Sequence, residues 1–269
     1  MYDSRWGKLL SIDPSSRDYP AASPYSAFNG NPLFYIDPTG RDGVGYWETT
    51  GKTRTLVIKA DYHFIKGQFD ENILSAVKAE YGTYKKVDYN GEKINVRFEI
   101  SFIPHEEGTS LDNYDGSNGQ NRLVNETISS GPEFDLSHRQ KVGVDVVKIN
   151  NYVPKMKGIE SIPLSSEDTK ALMISVIAHG IGHNLGMIHA DQDLMDDQNV
   201  FFVPLENPVT KKVIYKTDFI PNHVTKGNAQ KLTNRVDEMS TQGLDFWKGK
   251  LENDGKTPLK DSGTVQIKR

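Results

Sequence analysis

Hydrophobic and polar residues alternate most regularly between positions 94 and 102 of the chain. Five apolar residues are separated there by single polar ones, which is typical of a strand with one buried face. The segment 53–64 is rich in β-branched and aromatic residues and predicts a second strand. Val144, Val146 and Ile149 predict a further strand. The apolar residues of the alternating stretch are Ile94, Val96, Phe98, Ile100 and Phe102.

Three segments carry the apolar spacing of a helix. The first follows Asp70, a residue type that commonly caps a helix N-terminus. The second follows Ser165, and its two apolar stripes are typical of a helix buried on more than one side. The third lies near the C-terminal end. The apolar residues are Ile73, Leu74, Val77 and Tyr81 in the first, Leu172, Met173, Val176, Ile177, Ile181 and Leu185 in the second, and Ala229, Leu232, Val236 and Met239 in the third.

Residues 105–142 are polar and rich in turn-forming residues, so we expect a long loop there. Within it, the segment 112–119 contains several oxygen-bearing side chains that could bind calcium. Its spacing differs from that of an EF-hand loop, and we favour a solvated loop. The chain after Lys248 is also polar and is expected to form a loose tail.

Three histidines are concentrated near the end of the second predicted helix. His179 and His183 are four residues apart, so a helix with a rise of about 1.5 Å per residue places both rings on one face. Gly186 can end the helix in the left-handed conformation, which lets the chain turn back and present His189. Three protein ligands with an open fourth position are typical of catalytic zinc. We therefore predict that these histidines bind Zn²⁺.

The segment 179–189 resembles the signature of the metzincin zinc peptidases, H-E-x-x-H-x-x-G-x-x-H. Met195 follows six residues later, where compact members of that family place a methionine turn, an apolar floor beneath the metal. The resemblance implies an α+β fold with a twisted mixed sheet, an active-site helix, the methionine turn and a C-terminal helix. It also implies a zinc-dependent endopeptidase, in which zinc polarises the scissile carbonyl and activates water. The strand at 144–149 would then pair with an extended peptide substrate.

One position departs from the signature. Gly180 follows His179, whereas the family has a glutamate there that takes a proton from the zinc-bound water. Two explanations are open: a substitution made to inactivate a toxic protease, which we favour because the rest of the signature is intact, or a natural pseudoenzyme. Zinc is expected to bind in either case. Asp191, Asp193 or Asp196 could replace the missing carboxylate, but each is as readily a turn residue.

Two functions of other classes also agree with the sequence. The chain could be a catalytically dead module that binds a peptide or protein, or a zinc hydrolase of non-peptide amides. Tyr215 is a candidate hydroxyl donor to a developing oxyanion, as a tyrosine beyond the methionine turn is in some relatives of the family. The remaining histidines are isolated in the sequence, and we expect packing or surface roles for them. They are His63, His105, His138 and His223.

The first 43 residues carry a separate set of motifs, including Y-D-S-R-W-G-K-L-L-S-I-D-P at 2–14 and Y-I-D-P-T-G at 35–40. They resemble the end of the Rhs repeat-associated core of bacterial polymorphic toxins. In that family this segment often completes an autoproteolytic site, for which Asp13 and Asp37 would be the candidate carboxylates. We prefer to interpret both as turn formers before proline.

The two resemblances and the polar end of the chain together predict three parts: the end of an Rhs core at 1–43, a metzincin-like metallopeptidase toxin domain at 44–248 and a polar tail at 249–269. The Rhs resemblance also implies a secreted effector that is delivered into a target cell during competition between bacteria. An upstream β-cocoon would enclose the toxin, and a cognate immunity protein would neutralise it. The cocoon repeats are missing here, so we expect this chain to be part of a larger protein.

The composition agrees with a delivered effector. The formal net charge is −4 and there is no strong basic stripe, so nucleic acid is not an expected partner. The chain has no cysteine, which excludes disulfides and a thiol nucleophile. We find no signal peptide, and no apolar run approaches the roughly 20 residues that span a membrane.

Overall fold

The computed structural model describes residues 43–114, 116, 119–125, 164–195, 200–206, 210–250 and 263–268, and the backbone of the strand residues 2–3, 8–9, 140–142, 146–149 and 161–162. The chain divides into two compact units, residues 1–39 with 268–269 and residues 40–267. In the first unit, Tyr2–Asp3 (β1) pairs antiparallel with Lys8–Leu9 (β2). Asp13 and Asp37 lie outside the described residues, and the predicted division at residues 43 and 248 stays a prediction.

A mixed sheet forms the framework of the second unit. Its central strand is Thr53–Ile65 (β4), which pairs in parallel along one edge with Glu92–His105 (β6). On its other edge, β4 pairs first with the antiparallel Gly43–Thr50 (β3) and further along with the parallel Gln120–Asn125 (β7). The other strands of this sheet are Lys85–Tyr89 (β5), Gln140–Val142 (β8), Val146–Ile149 (β9) and Val265–Lys268 (β13).

The edge of the sheet beyond β7 corrects two predictions. β9 pairs in parallel with β7 and antiparallel with β8. Since β9 is paired on both sides, the expectation that the strand at 144–149 pairs with a substrate is wrong, and β8 is the outermost described strand on this side. The expected loop at 105–142 is wrong in part because it contains β7 and β8. β7 was not predicted because it contains many polar residues, and even its buried face carries a polar residue, Asn121, next to Leu123.

Three α-helices accompany this sheet in the described part of the chain, and the starts predicted for the first two are confirmed. The carboxylate of Asp70 accepts a hydrogen bond from the backbone of Asn72 at the first helix. The hydroxyl of Ser165 accepts one from the backbone of Asp168 at the second. These bonds satisfy amide groups that have no partner within the first turn of a helix. The helices are Glu71–Tyr81 (α1), Ser166–Asn184 (α2) and Lys226–Gln242 (α3).

A second, smaller sheet, formed mainly by two strands that follow α2 in the chain, was not expected from the sequence. Val200–Glu206 (β11) and Val213–Phe219 (β12) form an antiparallel pair, and Ser161–Ile162 (β10) lies parallel to β12. Tyr215 lies in β12, opposite Pro204.

One hydrophobic core joins the large sheet to the helices. Alternate residues of β4 are fully buried, and they share this core with both predicted stripes of α2. The expectation of a loose tail is wrong for its last part, because Val265 is fully buried and Gly263 donates a hydrogen bond to the carbonyl of His183 (2.8 Å). The fold is therefore mixed α+β with a mixed sheet, as predicted. None of the described helices is long and apolar enough to cross a membrane.

Candidate metal centre

Three histidine rings meet at the C-terminal end of α2. His179 and His183 lie one turn apart on this helix, and His189 opens a short 3₁₀ turn that ends at Asp191. The Nε2 atoms of His179 and His183 are 3.1 Å apart, as are those of His183 and His189. The structure thus brings together all three histidines that the sequence predicts as ligands, and they form a group that could hold a metal ion.

The outer nitrogens of two rings fix which nitrogen carries the proton. Nδ1 of His179 donates to the backbone carbonyl of Leu194 (2.9 Å), and Nδ1 of His183 donates to that of Met187 (3.1 Å). A carbonyl only accepts hydrogen bonds, so the proton of each neutral ring lies on Nδ1 and the Nε2 lone pair faces the other histidines. This arrangement orients the two rings as metal ligands.

The electrostatics of the triad also fit a cation. Burial, followed by the nearby rings of His179 and His189, holds the pKa of His183 well below its ordinary value. Protonation of His183 is therefore disfavoured, and no proton lies between Nε2 of His179 and Nε2 of His183, because each neutral ring holds its proton on Nδ1. Lone pairs about 3 Å apart repel one another unless a positive charge lies between them. Imidazole nitrogens suit zinc, copper, iron and nickel, so the triad fits a transition-metal ion.

Gly186 follows the end of α2 in the left-handed conformation, as predicted. Its φ of +86° is in the left-handed region, where a side chain is strained. A Cβ at this position would also lie 2.4 Å from Cε of Met239 and 2.9 Å from the carbonyl oxygen of Gly263. The turn therefore needs glycine for its conformation and for the close approach of α3 and the C-terminal segment.

Met195 packs against α2 at Gly182, a residue that the sequence analysis did not single out. Met195 is fully buried in a 3₁₀ turn, Asp193–Met195. A Cβ at Gly182 would lie 2.6 Å from Sδ of Met195 and 3.2 Å from a methyl carbon of Leu194. The glycine next to His183 thus allows this turn to approach the helix. Its signal in the sequence is a glycine in a helix interior, which costs about 1 kcal/mol without such a reason.

The predicted substitutes for the missing carboxylate are already engaged. Asp191 is bound through both carboxylate oxygens by Arg235, at 2.9 and 2.6 Å. Asp193 accepts a hydrogen bond from the hydroxyl of Thr225 (2.7 Å). Asp196 lies outside the described residues. Gly180 is buried in α2 directly after His179 and has no side chain that could take a proton.

Two of the histidines described as isolated lie together instead. Nδ1 of His63 and Nε2 of His105 are 2.8 Å apart, and the ring of Tyr114 stacks on His63 at 3.5 Å. Both histidines lie near the carboxyl ends of the parallel neighbouring strands β4 and β6. They are 42 residues apart in the sequence, so their proximity cannot be predicted from sequence spacing. His223 pairs with Glu80, and His138 lies outside the described residues.

The candidate calcium segment is only partly described. Asp112 forms an ion pair with Arg122 (3.3 Å) and accepts a hydrogen bond from Ser110 (2.8 Å). Asp115, Ser117 and Asn118 lie outside the described residues, so calcium binding stays a prediction.

Comparisons of this chain with protein-family models, with curated proteins and with solved structures each found no match. The fold and the site therefore define its class by themselves. It is an α+β protein with a histidine triad that could hold a metal ion.

Proposed function

We propose that this chain contains a zinc-dependent endopeptidase domain of metzincin type, the toxin part of an Rhs polymorphic toxin, in a form without its general base. The observation that carries this proposal is the convergence of the Nε2 atoms of His179, His183 and His189, with the outer nitrogens of two rings held by carbonyls. The order of elements supports it: strands, helix α1, strands, helix α2 with two of the histidines, the turn that contains Met195 and the last helix α3, with β11 and β12 as an addition between the turn and α3.

Each part of the site has a place in peptide hydrolysis. A zinc ion supplies a Lewis acid that polarises a carbonyl and lowers the pKa of water. The carbonyls of Leu194 and Met187 keep His179 and His183 in the tautomer that binds such an ion. β8 lies at the edge of the sheet and near α2. No described strand pairs with its outer edge, and a strand edge of this kind binds an extended peptide through backbone hydrogen bonds, which favours a polypeptide substrate.

The missing part is a proton carrier at position 180. General acid–base groups typically contribute about 10²–10⁴-fold to the rate, and glycine contributes none. Asp191 and Asp193 do not replace it, because Arg235 and Thr225 already bind their carboxylates. We therefore expect the chain with Gly180 to bind zinc and to cleave peptide bonds very slowly or not at all.

The test compares Gly180→Glu with Gly180→Gln and with the chain as given. Gln has nearly the same shape as Glu and cannot act as a base, so it is the matched control. All three are loaded with zinc and incubated with an unfolded protein, and the fragments are identified by mass spectrometry. Gly180→Glu is expected to cleave at least about 10²-fold faster than the other two, and a chelator is expected to abolish the cleavage.

The same experiment separates the other two functions. A natural binding module is favoured by Gly180 itself; it predicts zinc binding by all three proteins and no cleavage by Gly180→Glu. A hydrolase of non-peptide amides predicts that Gly180→Glu cleaves a small amide or ester substrate and leaves the protein intact. Failure of the parent chain to bind zinc contradicts the proposal at its first step.

The toxin role rests on the motifs at 2–14 and 35–40, which belong to the Rhs resemblance. It comprises delivery into a target cell, an upstream cocoon and a cognate immunity protein. Expression of Gly180→Glu inside bacteria is expected to arrest growth, whereas Gly180→Gln is expected to be tolerated. Equal growth with both variants, at equal expression, contradicts a toxic peptidase.

A further inference from the structure

One face of α3 is polar and lies along the segment that carries His189. Four side chains on this face are spaced by three, three and four residues, which places them in a row along the helix. Each donates hydrogen bonds to the segment between Gly186 and Asp193. The four are Thr225, Asn228, Lys231 and Arg235.

The first half of this row holds the end of the segment. Thr225 donates to the carboxylate of Asp193 (2.7 Å), and the side-chain amide of Asn228 donates to the carbonyl of Gln192 (2.9 Å). Gln192 and Asp193 have φ values of +56° and +52°. These are left-handed conformations that residues other than glycine rarely adopt, so the backbone needs such bonds to stay in this shape.

The second half of the row holds the residues next to the ligand. Nζ of Lys231 donates to the carbonyls of Ala190 (3.1 Å) and Asp191 (2.9 Å), which directly follow His189. Nη2 of Arg235 donates to the carbonyl of Gly186 (2.9 Å), where the segment leaves α2. Both ends of the turn that presents His189 are thus fixed to α3.

Arg235 makes the strongest of these contacts. Its two terminal nitrogens form a fork on the carboxylate of Asp191, and the two side chains are 19% and 3% exposed. A charge-assisted, bidentate pair of this kind fixes orientation as well as distance. The carboxylate in turn accepts a hydrogen bond from the backbone of Ile188 (3.0 Å). The ion pair therefore joins the residues on both sides of His189.

We infer that Arg235 is a positioning residue for the metal ligand His189, and that α3 holds this ligand in its binding position before a metal arrives. Lys231 contributes to the same task through two carbonyls. The inference rests on the metal site of the proposed function, but it does not depend on peptide cleavage. Without Arg235, the segment has to be ordered by the metal itself, which lowers the affinity.

The test measures zinc affinity by competition with a chromophoric chelator, in the chain as given. Arg235→Met keeps most of the apolar stem and removes the fork. It is expected to weaken zinc binding by about 10–100-fold, the usual effect of removing a group that orients a ligand. Lys231→Met is expected to cause a smaller loss. The absorption of bound Co²⁺ reports the ligand set, and Arg235→Met is expected to change the bands of the parent.

Two controls separate positioning from stability. Val236→Ala removes apolar contacts of the fully buried neighbour on α3 and no donor to the segment, so it lowers the melting temperature without weakening zinc binding. Arg235→Lys keeps the positive charge but loses the bidentate contact with Asp191. Its zinc affinity is expected to lie between those of Arg235→Met and the parent. The double variant Asp191→Asn with Arg235→Met is expected to bind zinc little more weakly than the weaker of the two single variants, because both changes remove the same ion pair.

The outcomes distinguish this inference from the proposed function. Parent-like zinc affinity in Arg235→Met overturns the inference, and so does an equal loss in Val236→Ala. If the parent binds zinc and Gly180→Glu cleaves nothing, the proposed function fails and the effect of Arg235 is still measured. If the parent does not bind zinc or Co²⁺, both are overturned.

Discussion

The histidines at the end of α2 and the pair His63 and His105 both bring ring nitrogens close together. In the triad, Nε2 of His183 is 3.1 Å from Nε2 of both His179 and His189, and in the pair Nδ1 of His63 is 2.8 Å from Nε2 of His105. The two clusters differ in the hydrogen bond made by the ring nitrogen that faces away from the neighbouring histidine. The partner in that hydrogen bond determines which nitrogen of the ring carries the proton.

In the pair, the outer partner of His63 is the side chain of Gln120, and a proton on His105 lies between the two rings. Nε2 of His63 contacts Oε1 of Gln120 (2.7 Å), and the amide nitrogen of Gln120 donates to the carboxylate of Asp61 (2.7 Å). Oε1 is an acceptor, so His63 donates through Nε2 and accepts from His105 through Nδ1. The pair is an ordinary hydrogen bond and does not need a metal.

In the triad, the carbonyls of Leu194 and Met187 take the protons on the outer side of His179 and His183. No proton then lies between the rings of these two, and a cation is the partner that fits. Close histidines are thus insufficient to identify a metal site. The hydrogen bonds of the outer ring nitrogens distinguish a metal site from a hydrogen-bonded pair.

The largest expected effect is on metal affinity. His183→Ala is expected to weaken zinc binding more than about 100-fold, because it removes a ligand and changes to the groups around ligands already cost about 10–100-fold. His63→Ala is expected to leave the affinity unchanged. Isothermal titration of both variants and the parent checks this, and a comparable loss in His63→Ala would show that the comparison is wrong.

The features of the site that the sequence predicts are local ones. The cap at Ser165, the spacing of the three histidines and the left-handed Gly186 each depend on residues within one or two helical turns. Helical periodicity and glycine conformation therefore predict them.

The features that the sequence does not predict depend on distant partners. Arg235 binds a carboxylate 44 residues away, and His63 contacts a ring 42 residues away. Asn121 is fully buried in β7 because other buried amides and carbonyls bind it, whereas its polarity alone indicates a loop. Val265 is fully buried in the hydrophobic core, although it lies in a segment whose other residues are mostly polar. Periodicity gives no information about such pairs, since it reports only which side of an element is apolar.

A second prediction concerns the buried polar groups between the two clusters. Asn184 follows His183; it accepts from the hydroxyl of Tyr62 (2.5 Å) and donates to Asn121 (3.2 Å). Asn184→Ala removes both interactions from fully buried groups and is expected to lower the free energy of unfolding by about 1–3 kcal/mol. Zinc affinity is expected to change far less than in His183→Ala, because no ligand is lost.

Urea unfolding of the metal-free protein checks this second prediction. Asn234→Ala is the matched control, since Asn234 is an exposed helical asparagine and its loss is expected to cost no more than about 0.5 kcal/mol. Equal stability of the two variants would show that the buried amides contribute little. A large loss of zinc affinity in Asn184→Ala would show that the triad depends on this network.

The smallest expected effect is the pH dependence of the His63 pair. Burial lowers the pKa of His63 below its ordinary value, and the nearby ring of His105 acts in the same direction. The unfolded chain therefore binds a proton at a higher pH than the folded one does. The stability from His63 is complete above about pH 6.5 and declines as the pH falls toward the lowered pKa.

The measurement is the free energy of unfolding at pH 7.5 and pH 5.5, with a chelator present, in the parent and in His63→Gln. The triad is the same in both proteins, so its contribution cancels in the difference. The parent is expected to lose more stability at the lower pH than His63→Gln, because Gln at this position does not titrate. Equal losses would mean that protonation of His63 does not disturb the fold.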